Sequence, residues 1–384
     1  MTIDPTDIEI CLRDAGEGGA TSPPIVQTSL FTFPTFGALV AGLGDEFRQH
    51  VYTRGRNPTV MAVERKLAAL ERGEGCLCFG SGMAAISGVL LGLLGSGDHV
   101  LFVNHTYGPT LQLAEHLERF GITHDTTLDV SIEAIEGALR DTTRLIWLES
   151  PGTMLFRVVD LSAVAQLARR RGILTCIDNS WATPLFQKPL THGIDIVVHT
   201  ATKYLGGHSD LIAGAVVTTE ERLKTIFYRS FLLNGGVLGP FDAWLLHRGL
   251  LTLPARMSRQ GEDALHLARA LREHPDIRAV HHPALIDAGA GANQLNGYAG
   301  VFSFELRRDE YDDVTRFIDA LRHCRIGVSW GGVESLVISP QRPHNGADLT
   351  RRGLPRGLIR LSVGLEGTEL LRQDLLNALE AVNR

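Results

Sequence analysis

The stretch Ile194-Asp195-Ile196-Val197-Val198-His199-Thr200-Ala201-Thr202-Lys203-Tyr204-Leu205-Gly206-Gly207-His208-Ser209-Asp210 decides the fold. A short apolar run without alternation reads as a strand buried on both faces. It leads straight into a hydroxyl-flanked lysine and a Gly-rich turn. Similar runs recur at residues 99–103, 144–148, 173–178 and 212–218, and helical spacing marks 83–94, 111–120 and 161–171. Buried strands joined by helical crossovers predict an α/β fold. Its sheet is mostly parallel, covered by helices on both faces, and takes ligands beyond the strands' carboxyl ends.

Outward from this centre the texture changes twice. Asn57-Pro58 offers an N-cap followed by proline at the first helical position, with Val60, Val63, Leu67 and Leu70 at helical spacing. Before it, periodicity is weak and punctuated by Gly16, Gly18, Gly19, Pro23 and Pro24. After Pro240 come a helical stretch at 257–272, a His/Pro/Gly-rich loop at 281–297, a strand at 300–306, a helix at 311–323, a strand at 358–363 and a last helix. The expected division is an N-terminal extended arm (1–55), a large domain (56–245) and a smaller C-terminal α/β domain (246–384).

With 384 residues, 44% hydrophobic and 21% charged, the chain can bury a sizeable core, which excludes a disordered chain, a coiled coil or a small disulfide scaffold. A net charge of -6 gives no general attraction to nucleic acid or anionic lipid. No apolar run is long enough to span a bilayer, and Met1-Thr2-Ile3-Asp4-Pro5 lacks the basic start of a secretory signal. Five cysteines (Cys11, Cys76, Cys78, Cys176, Cys324) fit a reducing compartment, so the expected location is cytoplasmic. Cys76-Leu77-Cys78 lacks a second ligand pair and reads as two small residues on one strand face. His208 and His281-His282-Pro283 have no ligand partners at metal spacing, and no metal is expected.

Only four of the 37 basic residues are lysines: Lys66, Lys188, Lys203 and Lys224. An arginine cannot lose its proton to become a nucleophile, so each lysine matters. Lys66, Lys188 and Lys224 read as surface residues. Lys203, with Thr200 and Thr202 beside it, stands where an α/β sheet presents catalytic groups, although a solvated loop lysine would fit the same position. Phe79-Gly80-Ser81-Gly82-Met83 is a Gly-rich turn opening a helix, which suits an anion or a plain Ser81 N-cap equally. Asp178 ends a buried strand next to the one before Lys203. It can hold a protonated ring nitrogen or cap a helix. Tyr107 follows the strand at 99–103 and can face a ring or fill a turn. Together these parts meet the needs of a carbonyl cofactor: an amine for an imine, a phosphate cradle, an acid for a ring nitrogen and a ring partner.

The combination resembles the Cys/Met-metabolism family of fold-type I pyridoxal-phosphate enzymes over nearly the whole chain. The similar segments are Tyr52-Thr53-Arg54, Asn57-Pro58-Thr59, Ser81-Gly82-Met83, Glu149-Ser150-Pro151, Asp178-Asn179, Thr202-Lys203-Tyr204, Gly207-His208-Ser209-Asp210 and Arg248-Gly249-Leu250. Glu149-Ser150-Pro151-Gly152, Ser329-Trp330-Gly331-Gly332 and Leu358-Ile359-Arg360-Leu361 are most similar to the bacterial cystathionine β-lyase branch. The resemblance implies pyridoxal 5'-phosphate as cofactor and a small amino-acid substrate. Lys203 would hold the cofactor and move the α-proton, Asp178 would pair with the ring nitrogen, and Tyr107 would stack on the ring. Gly82, Met83, Thr200 and Thr202 would bind its phosphate. Tyr52 and Arg54 would reach the phosphate of a neighbouring subunit, implying a homo-oligomer with shared sites, usually a dimer of dimers. Ser329 and Arg360 would hold the substrate carboxylate.

The implied reaction is β-elimination of L-cystathionine, or a related S-substituted cysteine, to a thiol, pyruvate and ammonia. The alternatives are γ-elimination or γ-replacement on cystathionine, methionine or an activated homoserine, and a non-catalytic regulatory protein on the same fold. Val328, immediately before Ser329, stands where γ-acting members typically carry Glu, whereas Leu238-Gly239-Pro240-Phe241-Asp242-Ala243 is similar to the γ side.

Overall fold

Seven strands make the larger sheet: β1 (Gly75–Phe79), β2 (His99–Val103), β3 (Thr123–Thr127), β4 (Thr143–Glu149), β5 (Leu174–Asp178), β6 (Ile196–His199) and β7 (Gly214–Thr218). The computed structural model describes residues 2–13, 20–286 and 289–382. The strand order is β1-β7-β6-β5-β4-β2-β3. Neighbours from β3 to β6 run parallel, and β7 is antiparallel to both β6 and β1. β1 therefore points the same way as β6, and the carboxyl ends of β1, β2, β4, β5 and β6 open on one edge.

The inner strands are apolar on both faces because both faces are covered. Leu101, Val103, Ile146, Leu148, Ile177 and Val197 join one core, while Phe102, Trp147, Cys176 and Val198 join the other. Each such large side chain taken from water contributes about 1.5–3 kcal/mol. β3, reading Thr-His-Asp-Thr-Thr, is a partly exposed edge strand, so no apolar run announces it. The helix Pro58–Glu71 starts as its Asn57-Pro58 pair predicts, with the Thr59 N–H donating to the Asn57 side chain at 3.0 Å.

The smaller sheet contains β8 (Ile277–His281), β9 (Val301–Leu306), β10 (Arg325–Ile326), β11 (Leu336–Ile338) and β12 (Leu358–Ser362), in the order β10-β11-β12-β9-β8. Only the β10–β11 pair is parallel. Phe302, Phe304, Ile359 and Leu361 pack with Phe317, Leu371 and Leu375 from helices Tyr311–Ala320 and Thr368–Val382.

The structure corrects three expectations. The helical stretch expected from residue 257 begins at Pro240 and runs unbroken to Arg272, through the proposed division at 245/246. Its Ala243, Leu246, Leu250, Leu253 and Met257 belong to the larger sheet's core, whereas Ala264, Leu267, Ala268 and Leu271 belong to the smaller one. The change of core thus falls between Met257 and Ala264. Pro254 inside the helix removes one backbone donor and hides the continuity.

The arm is not extended throughout. Pro5–Leu12 and Phe36–Leu43 are helices, and the first buries Ile10 and Cys11 in the large-sheet core. Its fully buried Asp7 is paired with Lys188 at 2.7 Å and Arg72 at 2.8 Å. Lys188 is accordingly no surface residue, and neither is Lys66, whose buried Nζ donates to the Cys11 carbonyl at 2.9 Å. Both lysines anchor the N-terminal helix, a long-range role that local sequence does not reveal. Among the described residues no helix is long and apolar enough to cross a membrane.

Candidate active site

The carboxyl edge of the larger sheet encloses a cavity of ≈ 220 Å³. Each strand end contributes to it: β1 through Ser81, Gly82 and Met83, β2 through Tyr107, β4 through Glu149, β5 through Asp178, and β6 through Thr200, Thr202 and Lys203. The smaller sheet closes it with Arg360 from β12, Val301 from β9 and Trp330 from a loop. Alternation on β12 explains Arg360: Ile359 and Leu361 enter the core, so the residue between them faces away from it.

Lys203 sits in the turn that follows β6. Gly207 makes that turn possible, with φ +69 and the Arg256 guanidinium lying where a Cβ would stand. Lys203 Nζ donates to Ser329 Oγ at 2.6 Å and lies 5.5 Å from the centroid of the Trp330 ring. Burial, reinforced by the Arg360 guanidinium, pulls the amine down to about 8, with Asp178 opposing. Ser329 has φ +81, a left-handed conformation that is unfavourable for a residue with a Cβ. Its carbonyl accepts from Arg360 Nη2 at 2.9 Å, so one strained residue orients both the amine and the guanidinium.

Two carboxyls line the floor. Asp178 and Glu149 are directly opposed in the β4–β5 register. Burial raises Asp178 above the ordinary carboxylate range, opposed by the Ser180 N–H, which donates to Oδ1 at 3.0 Å, and by the Ser180 hydroxyl. Burial and then the Asp178 charge hold Glu149 well above it. On the far side of the sheet end, Asn179 Nδ2 and His199 meet the fully buried Glu71 at 2.8 and 2.6 Å.

The pyridoxal phosphate implied by the resemblance fits these residues on two independent grounds. Gly82, first in the helix Gly82–Leu93, lies so close to Thr200 that a Cβ would collide with its side chain, so only backbone N–H groups and hydroxyls meet at the helix start, a cradle that suits a phosphate. Two facing carboxyls at the floor also suit a cationic ring N–H. Ser81 caps the helix through the Ala84 N–H at 3.0 Å, so the N-cap reading and the cradle reading coexist.

Of the residues singled out by sequence, Lys203, Tyr107, Asp178, Gly82, Met83, Thr200, Thr202 and Arg360 line this cavity, and Ser329 touches two of them. Thr202 Oγ1 accepts from the Ala213 N–H at 3.0 Å, tying the lysine turn to the start of β7. Tyr52 and Arg54 lie outside the cavity, side by side, with the guanidinium carbon 5.5 Å from the ring centroid. Val328 is exposed and does not line it either. Glu149 and Trp330 fall within segments quoted above, and Ser180 and Trp181 follow one directly, yet none of the four carried a role in the sequence. Phe156, Ile212 and Val301 line the cavity without any local mark of a site role, although the last two lie in runs read as strands.

Comparison with known proteins agrees with this geometry. Residues 8–380 match the Cys/Met metabolism PLP-dependent enzyme family. The chain is 39% identical to cystathionine gamma-lyase of Bacillus subtilis, over 95% of each chain. It is 37% identical to cystathionine beta-lyase MetC of the same organism, over 96% of this chain and 93% of that one. The crystal structure of cystathionine gamma-lyase from Lactobacillus plantarum complexed with L-serine superposes with a TM-score of 0.90 at 34% identity, covering 100% of both chains. Family match, fold and site converge: the chain belongs to the Cys/Met metabolism PLP-dependent enzymes, with pyridoxal 5'-phosphate as its cofactor.

Proposed function

We propose that the protein is a carbon–sulfur lyase that eliminates thiolate from Cβ of an S-substituted cysteine, with L-cystathionine as the leading substrate. The observation that carries this reading is the meeting of Lys203, Ser329 and Arg360 in one cavity: a depressed amine, its hydroxyl partner and a carboxylate receptor. When bound, the cofactor supplies an aldehyde for the substrate amine and an electron sink for the charge left at Cα.

The chain's own residues account for the rest. Arg360, fixed by the Ser329 carbonyl, holds the substrate carboxylate with N–H groups left over from that bond. Ser329 keeps Lys203 where its amine takes the α-proton. Asp178, supported by Ser180, would stabilise a protonated ring nitrogen, and Tyr107, at the β2 end of the cavity, would stack on the ring. Phe156, Trp181, Val301 and Trp330 keep water from the reacting carbons. The C–S electron pair leaves with the thiolate, and the three-carbon remainder hydrolyses to pyruvate and ammonia. Gly82, Met83, Thr200 and Thr202 would hold the phosphate, completed by Tyr52 and Arg54 of a second copy of this chain.

β-Elimination is preferred because it removes a single proton, which Lys203 alone can take. Val328, exposed and outside the cavity, supplies no polar group for a second transfer at Cβ. γ-Elimination is the second reading, favoured by the identity to the Bacillus subtilis cystathionine gamma-lyase. Incubation with L-cystathionine and S-alkyl cysteines, followed by keto-acid identification, separates them. Pyruvate is expected, and 2-oxobutanoate from cystathionine would overturn the β assignment.

A further inference from the structure

Tyr107 is the N-cap of the helix Gly108–Leu117, yet that helix has no side-chain cap from its own sequence. In the usual capping box a Glu or Gln three residues into the helix reaches back to the N-cap N–H. Here that position is Thr110, and the acceptor comes from another strand: Glu149 Oε2 takes the Tyr107 N–H at 2.8 Å. The same strand end fixes the rest of the turn. Asn104, at φ +75, donates through Nδ2 to the Glu149 carbonyl and to the Arg157 carbonyl, both at 2.9 Å. The Thr153 N–H donates to the His105 carbonyl at 3.0 Å. Tyr107 itself stays half-exposed on the cavity side, so its backbone is what is held.

Glu149 also faces Asp178, and their surroundings differ. Asp178 receives the Ser180 N–H and feels the Lys203 charge, whereas the Glu149 carboxyl accepts from the Tyr107 N–H and faces the Asp178 charge. No side-chain cation is bonded to Glu149 among the described residues. Two buried carboxyls on directly paired residues of adjacent strands disfavour joint ionisation, and the one with weaker support takes the proton.

We infer that Glu149 is a positioning residue for the lyase reaction. As a neutral carboxyl it caps the Tyr107 amide from across the sheet and leaves the negative charge of the floor on Asp178. This inference rests on the lyase reading for its kinetic consequence only. A carboxamide keeps the accepting oxygen and cannot ionise, so Glu149→Gln is the discriminating variant and Glu149→Ala the deletion.

The first arm uses the cofactor-free protein: hydrogen exchange of the segment containing the Tyr107 amide. Protection there is expected to fall in Glu149→Ala and to persist in Glu149→Gln, with both variants still melting cooperatively. The second arm uses the holoenzyme. Glu149→Ala is expected to lower kcat about tenfold or more through displacement of Tyr107, with Glu149→Gln recovering the greater part of the loss. The pH titration of the bound cofactor's absorption should follow the parent in Glu149→Gln. Equal damage from both variants would overturn the neutral-carboxyl assignment, and unchanged Tyr107 protection in Glu149→Ala would overturn the capping role. If neither cystathionine nor an S-substituted cysteine turns over, the lyase reading fails while the exchange arm still decides the cap.

Discussion

Lys203 has a value of about 8 instead of 10.5, because folding removes water from the amine and sets the Arg360 cation near it. The neutral amine is the nucleophile, and a depressed value enlarges its share near neutrality. Capture of free cofactor by the cofactor-free protein should therefore speed up as pH rises toward 8 and level off above it. A stopped-flow absorbance series reads this directly, whereas a rate that keeps climbing toward 10.5 marks an ordinary lysine. Arg360 gives a complementary prediction. Replacing it with Ala removes a charge-assisted carboxylate contact of roughly 1.5–3 kcal/mol, so KM should rise about tenfold to a hundredfold. An unchanged KM would move the carboxylate elsewhere. Lys203, Asp178, Tyr107 and the threonines were legible because polar groups at strand ends have few structural reasons to be there. Glu149 stood in a quoted segment, but its partner is an amide on another strand, and no spacing rule reveals such a contact. Phe156, Ile212 and Val301 are apolar residues among many and carry no sequence mark.

Among the secondary-structure elements, the N-terminal helix Pro5–Leu12 departs most from expectation. Eight residues cannot sustain a helix alone in water, so its stability comes from tertiary packing. The lock is Asp7, buried between Lys188 and Arg72. Asp7→Ala takes the counter-charge from the largely buried Lys188, whose Nζ keeps the Leu70 and Pro184 carbonyls, and should cost about 3 kcal/mol, near the low end for a broken buried pair because Arg72 retains solvent. A fall of several degrees in melting temperature checks this, and an unchanged melt would show that the helix docks by apolar contact alone. The buried strands of the larger sheet were readable because covering both faces demands continuous apolar runs. β3 was not, since an edge strand facing solvent is polar. β10 and β11, of two and three residues, are too short to show a period. Pro254 obscured the long helix by the rule that ordinarily ends one.

At the scale of the whole molecule, the arm presents apolar surface that this chain alone does not cover: Phe36 is 80% exposed, with Leu30, Val40 and Leu43 also exposed. Tyr52 and Arg54 stand on the same segment and away from the chain's own cavity. We expect a second copy to cover that surface and to receive these two side chains at its cofactor phosphate. Mixed oligomers test the sharing: Lys203→Ala subunits co-assembled with Arg54→Ala subunits should regain activity that neither shows alone, and no recovery would place each site within one chain. The mostly parallel sheet and the single lysine site were legible from order and composition. The change of core within one helix was not, because a helix continuous across two cores shows no linker.

One side chain, Lys203, is expected to be the amine through which the cofactor is held and the α-proton is moved. Borohydride reduction of the holoenzyme, followed by peptide mass mapping, addresses it most directly. A single reduced pyridoxyl adduct on the peptide containing Lys203, lost in Lys203→Ala together with turnover, is the predicted result. An adduct on Lys66, Lys188 or Lys224 instead, or wild-type turnover in Lys203→Ala, would contradict it.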